Sequence, residues 1–387
     1  MQLFEDNSFF AWVILFSLPA VFLGFKEKPI KYYGLAVTFV FIWLSMGQSV
    51  QALGYLTFFC VFELLLTKAY AALRRLKGRH AFIYRGFLLL SIAPLIFNKV
   101  GLATDESLHI MGFLGISYMT FKTAQIVIEI YDGLIDEIST FDFLYLILFF
   151  PTLLSGPIDR SRRFNGDIGK IMPKEEYADM VGAGLIKFFK GFIYKKILAT
   201  SFFALIQWFG MGGSFGAALI YMYSYGIYLF FDFAGYSLMA IGVANVFGVN
   251  TPENFNAPFI SKDIKDFWDR WHITLSHWFR DYLFSRITMW MIAGGKTKNK
   301  LVIATVAFMI NMTIMGCWHG LTPYYIAYGA YHGLLLSLTE IFQKKSKFYK
   351  KHKKEKLFIA FETFITFNLV MFGFFIFSGQ LHFLLFG

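Results

Sequence analysis

The stretch KDIKDFWDRWHITLSHWFRDYLF, residues 262–284, places many charged side chains in a chain that is otherwise strongly apolar. Two histidines, four aspartates and two arginines stand among three tryptophans. Interpreted as one helix, the stretch has an aromatic face formed by Phe267, Trp271, Leu275, Trp278 and Tyr282. Its polar stripe is formed by Lys265, Asp269, His272, Ser276 and Arg280. Because lipid cannot solvate the polar stripe, this helix is predicted to lie at a membrane interface or to line a wet cavity.

The composition of the whole chain indicates a membrane protein. Hydrophobic residues make up 57% of the 387 residues and charged residues only 16%, whereas soluble domains average about 25% charged residues. The sequence contains about eleven or twelve apolar stretches that are candidate transmembrane helices, some of them too short to cross a bilayer unaided. These features predict an all-α polytopic membrane protein. Because no long linker separates the stretches, residues 1–387 are predicted to form a single domain.

The basic residues are concentrated in predicted loops, as the positive-inside rule requires. The formal net charge of +11 is therefore interpreted as contact with membrane lipids, and no nucleic-acid partner is predicted. Lys26, Lys28 and Lys31 assign the first loop to the cytoplasm, and both termini are predicted to be extracellular. The lysine-rich run at 344–356 is interpreted as a cytoplasmic loop near anionic headgroups.

One region does not fit a simple alternation of spans. The acidic stretch YDGLIDEIST at 131–140 and the basic stretch DRSRRF at 159–164 cannot both obey the charge rule if the segments on either side of the acidic stretch cross fully. A half-helix or re-entrant segment removes the conflict, and such elements are tolerated where they are buried in protein. We therefore predict a broken element between these two stretches.

Two histidines are candidates for chemistry. His319, in NMTIMGCWHGLTPYY (residues 311–325), lies between two hydrophobic segments, and an ionisable residue at membrane depth marks a functional site by default. Three interpretations of His319 stay open: a catalytic base, a hydrogen-bonded packing residue and a metal ligand. His272, taken alone, is more often structural. No matching cluster of cysteine or carboxylate ligands accompanies the two histidines, so no metal site is predicted. Cys317 stands two residues before His319 and would point to a different helix face, which argues against a Cys–His nucleophile.

Six stretches of the sequence carry a resemblance to a known family. They are FLGISYMTFK (113–122), PTLLSGPIDRSRRF (151–164), YLFFDFAGYS (228–237), NFNAPFISKDIKDFWDRWHITLSHWFRDYLF (254–284), MGCWHGLTPYYIAYGAYHG (315–333) and FITFNLVMFGFFIFSG (364–379). Together they resemble the membrane-bound O-acyltransferase (MBOAT) family, and within it most closely the branch that D-alanylates teichoic acid. The RWH and WHG motifs, which contain His272 and His319, are the most specific part of the resemblance.

The resemblance implies a fold and a reaction. The fold is a ring of about eleven transmembrane helices with short half-helices around a central funnel and tunnel. The reaction moves D-alanine from the phosphopantetheine thioester of a D-alanyl carrier protein to a hydroxyl, for D-alanylation of (lipo)teichoic acid in a Gram-positive envelope. The immediate acceptor is the polymer or an intermediary acceptor protein. No bound cofactor and no metal are implied.

The resemblance also suggests roles for individual residues. His319 matches the catalytic histidine of the family and His272 its second polar position. Four residues are expected to bind substrate: Trp318, Trp271, Ser276 and Asn311. Three basic residues are expected to dock the acidic carrier protein: Lys262, Lys265 and Arg286. An alginate-type O-acetyltransferase of an exopolysaccharide is the alternative, and a transporter of lipid-linked intermediates is a more distant one.

Overall fold

A computed structural model describes residues 1–104, 112–209, 214–295 and 297–386. Its helices up to residue 193 are α1 (Asn7–Phe25), α2 (Lys31–Met46), α3 (Val50–Lys77), α4 (Ala81–Thr104), α5 (Ile116–Asp132), α6 (Thr140–Leu148), α7 (Ser161–Gly169) and α8 (Lys174–Ile193). The later helices are α9 (Thr200–Phe209), α10 (Phe215–Val246), α11 (Ile264–Trp268), α12 (Ile273–Phe279), α13 (Ser285–Ala293), α14 (Lys300–His319), α15 (Pro323–Lys345), α16 (Lys347–His352), α17 (Lys356–Phe377) and α18 (Gln380–Phe386).

The described part of the chain is helical apart from loops and one isolated β-bridge between Phe255 and Trp271. Six helices within these residues are long and apolar enough to cross a bilayer, namely α1, α3, α4, α10, α14 and α17. At about 1.5 Å per residue, even the shortest of them reaches roughly the thickness of the hydrocarbon core. The prediction of an all-α polytopic membrane protein is confirmed.

The chain forms two compact units. The first consists of Met1–Phe192 and Gly235–Glu253, and the second consists of Ile193–Ala234 and Asn254–Gly387. α10 contributes its first part to the second unit and its last part to the first. The single domain over residues 1–387 stays a prediction.

The first unit contains the predicted broken element. α6 has nine residues, so it is only about 14 Å long, about half of a bilayer core. After α6 the chain returns to the end of α5. There Ser161 Oγ donates a hydrogen bond of 3.0 Å to Glu129 Oε2. Arg75 reaches the same end and donates to the Asp136 carbonyl at 3.2 Å. The acidic and basic stretches therefore lie at one end of α5, and the short α6 lies between them in the chain. That α6 enters the bilayer as a half-helix stays a prediction.

Candidate active site

The stretch 262–284, predicted as one amphipathic helix, is broken in the middle. α11 ends at Trp268, α12 begins at Ile273, and His272 stands between them with φ 43° and ψ 52°. This left-handed backbone conformation costs a residue with a side chain about 1–2 kcal/mol. The prediction of a single helix is therefore wrong, because side-chain periodicity does not reveal a turn that tertiary contacts impose. Non-glycine residues in strained conformations concentrate at functional sites.

Asn254 holds the turn at His272 in place. Its carbonyl accepts a hydrogen bond from the Ile273 N–H at 2.9 Å. Its side-chain Oδ1 accepts from the Thr274 N–H at 3.2 Å and from Thr274 Oγ1 at 2.6 Å. The Asn256 N–H adds a bond to the Arg270 carbonyl at 3.0 Å. Asn254 was not among the predicted site residues, since nothing in the spacing links a loop asparagine to Thr274, 20 residues later.

His319 is the last residue of α14, and glycines set its position against α15. A Cβ atom on Gly316 would lie 2.4 Å from the Tyr325 carbonyl oxygen, and one on Gly329 would lie 2.4 Å from the Met312 carbonyl oxygen. The two helices can pack this closely only because both residues lack a side chain, as in many membrane helix pairs. As a result the His319 ring lies beside the Tyr328 ring, with their centroids 6.2 Å apart.

His272 and His319 line one cavity of about 60 Å³, which we call the histidine chamber. Its other lining residues are Leu229, Phe233, Trp268, Trp271, Leu275, Tyr328, Phe374 and Phe377. One buried water molecule needs a cavity of roughly 10–15 Å³, so the chamber has room for about four to six atoms of the size of a water oxygen. The predicted pair of histidines, which are far apart in sequence, thus meets at a space suited to a small acyl group. Phe233, Tyr328, Phe374 and Phe377 were not predicted as site residues.

The environment of His272 favours the neutral imidazole. Its side chain is buried, and its segment is outside the six long apolar helices. Burial lowers the pKa of His272 well below its usual value, and the neighbouring His319 lowers this pKa further. A neutral imidazole can accept a proton or donate a hydrogen bond without charge repulsion from its partner. A histidine with so low a pKa is a weak base, so this environment suits His272 to hydrogen bonding rather than to taking up a proton.

A second cavity has a volume of about 250 Å³. Among the described residues, it shares only Trp268 with the histidine chamber. We call it the polar cavity because four members of the predicted polar stripe line it: Lys265, Asp269, Ser276 and Arg280. Asn311 lines it too, and its buried Oδ1 has no hydrogen-bond partner among the described residues. The prediction that the stripe lines a cavity is confirmed for these four residues, whereas His272 faces the histidine chamber.

The remaining predicted residues are placed as follows. Trp271 lines the histidine chamber, whereas Trp318 lines neither cavity but packs on His319 with ring centroids 4.6 Å apart. Lys265 Nζ donates hydrogen bonds to Glu340 and, at 2.9 Å, to Gln343. Lys262 is exposed and Arg286 is half-buried on α13, and neither lines the two cavities. Within the described ranges, no three His, Cys, Asp or Glu side chains are grouped to hold a metal ion.

Comparisons with known proteins identify the family of the chain. The family model described as "MBOAT, membrane-bound O-acyltransferase family" matches residues 36–378. The chain is 40% identical to the "Teichoic acid D-alanyltransferase" of Bacillus subtilis (strain 168), over 98% of each chain. It is 38% identical to the protein of that name from Streptococcus thermophilus, over 97% of this chain and 95% of the relative.

More distant relatives match a smaller part. The "Probable alginate O-acetylase AlgI" of Pseudomonas aeruginosa is 31% identical over 77% of this chain, but the match covers only 55% of that relative. The family match includes both histidines and all of the long apolar helices except α1. The chain is therefore a multi-pass membrane acyltransferase that belongs to the membrane-bound O-acyltransferase family.

Proposed function

We propose that this chain transfers D-alanine from a carrier-protein thioester to a hydroxyl acceptor, in the D-alanylation of teichoic acid. The observation that carries the proposal is the meeting of His272 and His319 in one chamber of acyl-group size. The full-length similarity to proteins named teichoic acid D-alanyltransferase supports the choice of D-alanine and teichoic acid. The similarity to alginate O-acetylases is partial, so acetyl transfer is the alternative.

The reaction needs one base and no redox partner. In the proposed mechanism the acceptor hydroxyl oxygen attacks the thioester carbonyl carbon while the His319 imidazole takes the hydroxyl proton. The C–S bond of the tetrahedral intermediate then breaks, and the proton on His319 passes to the departing sulfur. An ester and a free thiol result, and His319 returns to its neutral form. His272 is neutral and precedes Ile273 and Thr274, whose bonds to Asn254 hold the turn. It orients the acceptor or donates a hydrogen bond to the developing oxyanion.

The two cavities suit the two parts of a carrier-bound donor. The histidine chamber has room for the acyl group but not for a phosphopantetheine arm, whereas the polar cavity has about four times its volume. We assign the arm to the polar cavity, where Ser276 and Asn311 offer hydrogen-bonding groups for its amides. Trp271 forms part of the wall around the acyl group, and Trp318 supports His319 from outside the chamber. The chain itself then needs no bound cofactor, since the carrier supplies the thioester.

The D-alanyl carrier protein and the acceptor are the proposed partners. Lys262, Lys265 and Arg286 are proposed to dock the acidic carrier. Of the three, Lys262 is the most available to a partner, because it is exposed while Lys265 is paired with Glu340. Exposed charge pairs of this kind mainly raise the association rate and weaken with salt. The acceptor is teichoic or lipoteichoic acid or an intermediary protein, and membrane lipids surround the chain.

The finer architecture is part of the same proposal. We infer a single domain in which about eleven helices that cross or enter the bilayer, together with short half-helices, surround a funnel and a tunnel. Both termini are proposed to be extracellular. The contact between the Met1 amino group and the Leu44 carbonyl, at 3.3 Å, supports this for the N-terminus. Leu44 is at the end of α2 remote from Lys31, where the first basic loop joins it.

The decisive test is label transfer by the purified full chain in detergent. Carrier protein charged with radiolabelled D-alanine is incubated with lipoteichoic acid, and an ester-linked label on the acceptor is the expected product. Detergent removes the second compartment, so a transporter would produce no covalent product. Carrier charged with labelled acetate is the matched control. If only acetate were transferred, the acetyltransferase alternative would replace this proposal.

A further inference from the structure

We infer that the aromatic wall of the histidine chamber recognises the positively charged ammonium group of the D-alanyl donor through cation–π contacts, with Trp271 as the principal ring. This inference rests on the proposed function and adds the feature that selects a charged acyl group over a neutral one. Of the ten described residues that line the chamber, six carry a carbocyclic or indole ring: Phe233, Trp268, Trp271, Tyr328, Phe374 and Phe377. No aspartate or glutamate is among those ten.

The ammonium group has to enter this chamber with the reacting carbonyl. In a D-alanyl thioester the nitrogen is two bonds from the carbonyl carbon, so the two atoms are about 2.5 Å apart. If His319 acts at the carbonyl, the ammonium lies within the same 60 Å³ space. A charged group taken out of water is costly unless the protein compensates it. The chamber must therefore supply its compensation from the residues that line it.

The two carboxylates that adjoin lining residues in the sequence are not placed to do this. Asp269 lines the polar cavity and not the histidine chamber. Asp232 precedes Phe233 in the chain, but its Oδ1 lies 2.6 Å from Lys195 Nζ, so its charge is already balanced. The electron-rich faces of aromatic rings attract cations, and tryptophan does so best, most strongly where water is excluded. The composition of the wall matches this mode of recognition.

Trp271 is the ring with the firmest support. Its side chain is buried, with Phe267 stacked at 5.7 Å between centroids and Phe374 at 4.7 Å. The β-bridge between Trp271 and Phe255 fixes the backbone from which the Trp271 side chain projects. A ring held on several sides loses little conformational freedom on binding. Because Phe267 covers one face, the inferred contact uses the part of the ring that lines the chamber. Trp268 also lines the chamber, but it borders the polar cavity as well and is nearer to the arm of the donor.

The experiment compares two donors that differ in charge and little in size. The carrier is charged with D-alanine or with D-lactate, in which a hydroxyl replaces the ammonium, and kcat/KM is measured for the full chain in detergent. The readout is the D-alanyl to D-lactyl ratio in wild type, Trp271→Leu and Trp271→Phe. A desolvated tryptophan contact corresponds to a preference of up to about thirtyfold. We expect the ratio to fall by about tenfold or more in Trp271→Leu and by less in Trp271→Phe, which keeps a ring.

The control variant is Trp278→Leu, because Trp278 is a buried tryptophan on α12 that lines neither cavity. Its donor ratio should equal that of wild type. If Trp271→Leu does not fold, Phe374→Leu with Phe374→Tyr as its ring-retaining partner gives the same comparison. An unchanged donor ratio in the leucine variants, with D-alanine still transferred, would overturn the inference alone. Failure of wild type to transfer D-alanine at all would instead refute the proposed function.

Discussion

Lys122 and His272 are both buried ionisable side chains, yet their surroundings differ. Lys122, on α5 in the first unit, donates hydrogen bonds to the Leu146 carbonyl at 2.9 Å and to Thr152 Oγ1 at 3.2 Å. His272, in the second unit, faces the histidine chamber. A buried polar group that bonds its own chain holds the fold, whereas one that lines a cavity can act on a ligand. Burial of a charged residue type is thus a weaker sign of chemistry than the space beside it.

The largest effect is expected at the chamber. His319→Ala should lower turnover by about 10²- to 10⁴-fold, because the proton acceptor is lost. Its melting temperature in detergent should stay close to that of wild type, because His319 is only partly buried and ends its helix. Label transfer and thermal unfolding are measured on the same preparation. Near-normal turnover in this variant would remove His319 from the catalytic role.

Two substitutions of His272 should have the same effect on activity but different effects on stability. His272→Ala and His272→Asn should both be slowed by about tenfold or more, because neither side chain can replace the imidazole. The asparagine variant should be more stable than the alanine variant by up to about 1 kcal/mol, since asparagine tolerates the left-handed conformation. Urea or thermal unfolding gives the stability difference. Equal stability of the two variants would mean that the turn relaxes when His272 is replaced.

Substitution of Lys122 should lower stability and leave activity intact, in contrast to substitution of His319. Lys122→Met removes the hydrogen-bond donor to Leu146, which is in α6, and to Thr152, which follows α6. The expected loss of stability is about 1–3 kcal/mol, while activity per folded molecule is retained. Lys345→Met, at an exposed lysine in the last turn of α15, is the control and should change stability by less than about 0.5 kcal/mol. Loss of turnover in folded Lys122→Met protein would contradict the structural assignment.

Protonation of His272 should make the stability of the protein depend on pH, and this effect should be smaller than those of the substitutions above. Its pKa is lowered in the folded protein by burial and by His319, whereas in the unfolded chain it is about 6.5. Below that value the unfolded state takes up a proton that the folded state does not, so stability present above about pH 6.5 is lost as the pH falls. The melting temperature of wild type should therefore fall more than that of His272→Asn between about pH 8 and pH 5. Parallel melting curves would show that His272 does not titrate differently in the two states.

The smallest effect is expected at Cys317. Cys317→Ser should retain most of the activity, because this thiol lines neither cavity and the proposed nucleophile is the acceptor hydroxyl. Mass spectrometry of wild type during turnover should show no acyl group on Cys317. A trapped D-alanyl thioester on Cys317 together with an inactive serine variant would replace direct transfer with a two-step mechanism.

The sequence predicted which residues line the two cavities better than it predicted the backbone geometry that places them there. The two histidines line one cavity, Lys265, Asp269, Ser276 and Arg280 line another, and α6 is short, as predicted. The break at His272 was missed, because the residues on both sides of it continue the helical periodicity. Asn254, which holds the break, is a loop residue whose partners are visible only in three dimensions.

By itself the sequence determined the class of the protein, the membrane-embedded helices and the two motifs that contain His272 and His319. Composition and local spacing are enough for this, since apolar length and charge placement decide what a bilayer accepts. The tertiary structure alone decided that the two histidines share a chamber and that six aromatic rings surround it. Those rings come from α10, α11, α15 and α17 and from the turn before α12. The physical reason is that packing of distant helices, permitted by glycines such as Gly316 and Gly329, converts ordinary apolar residues into the walls of a site.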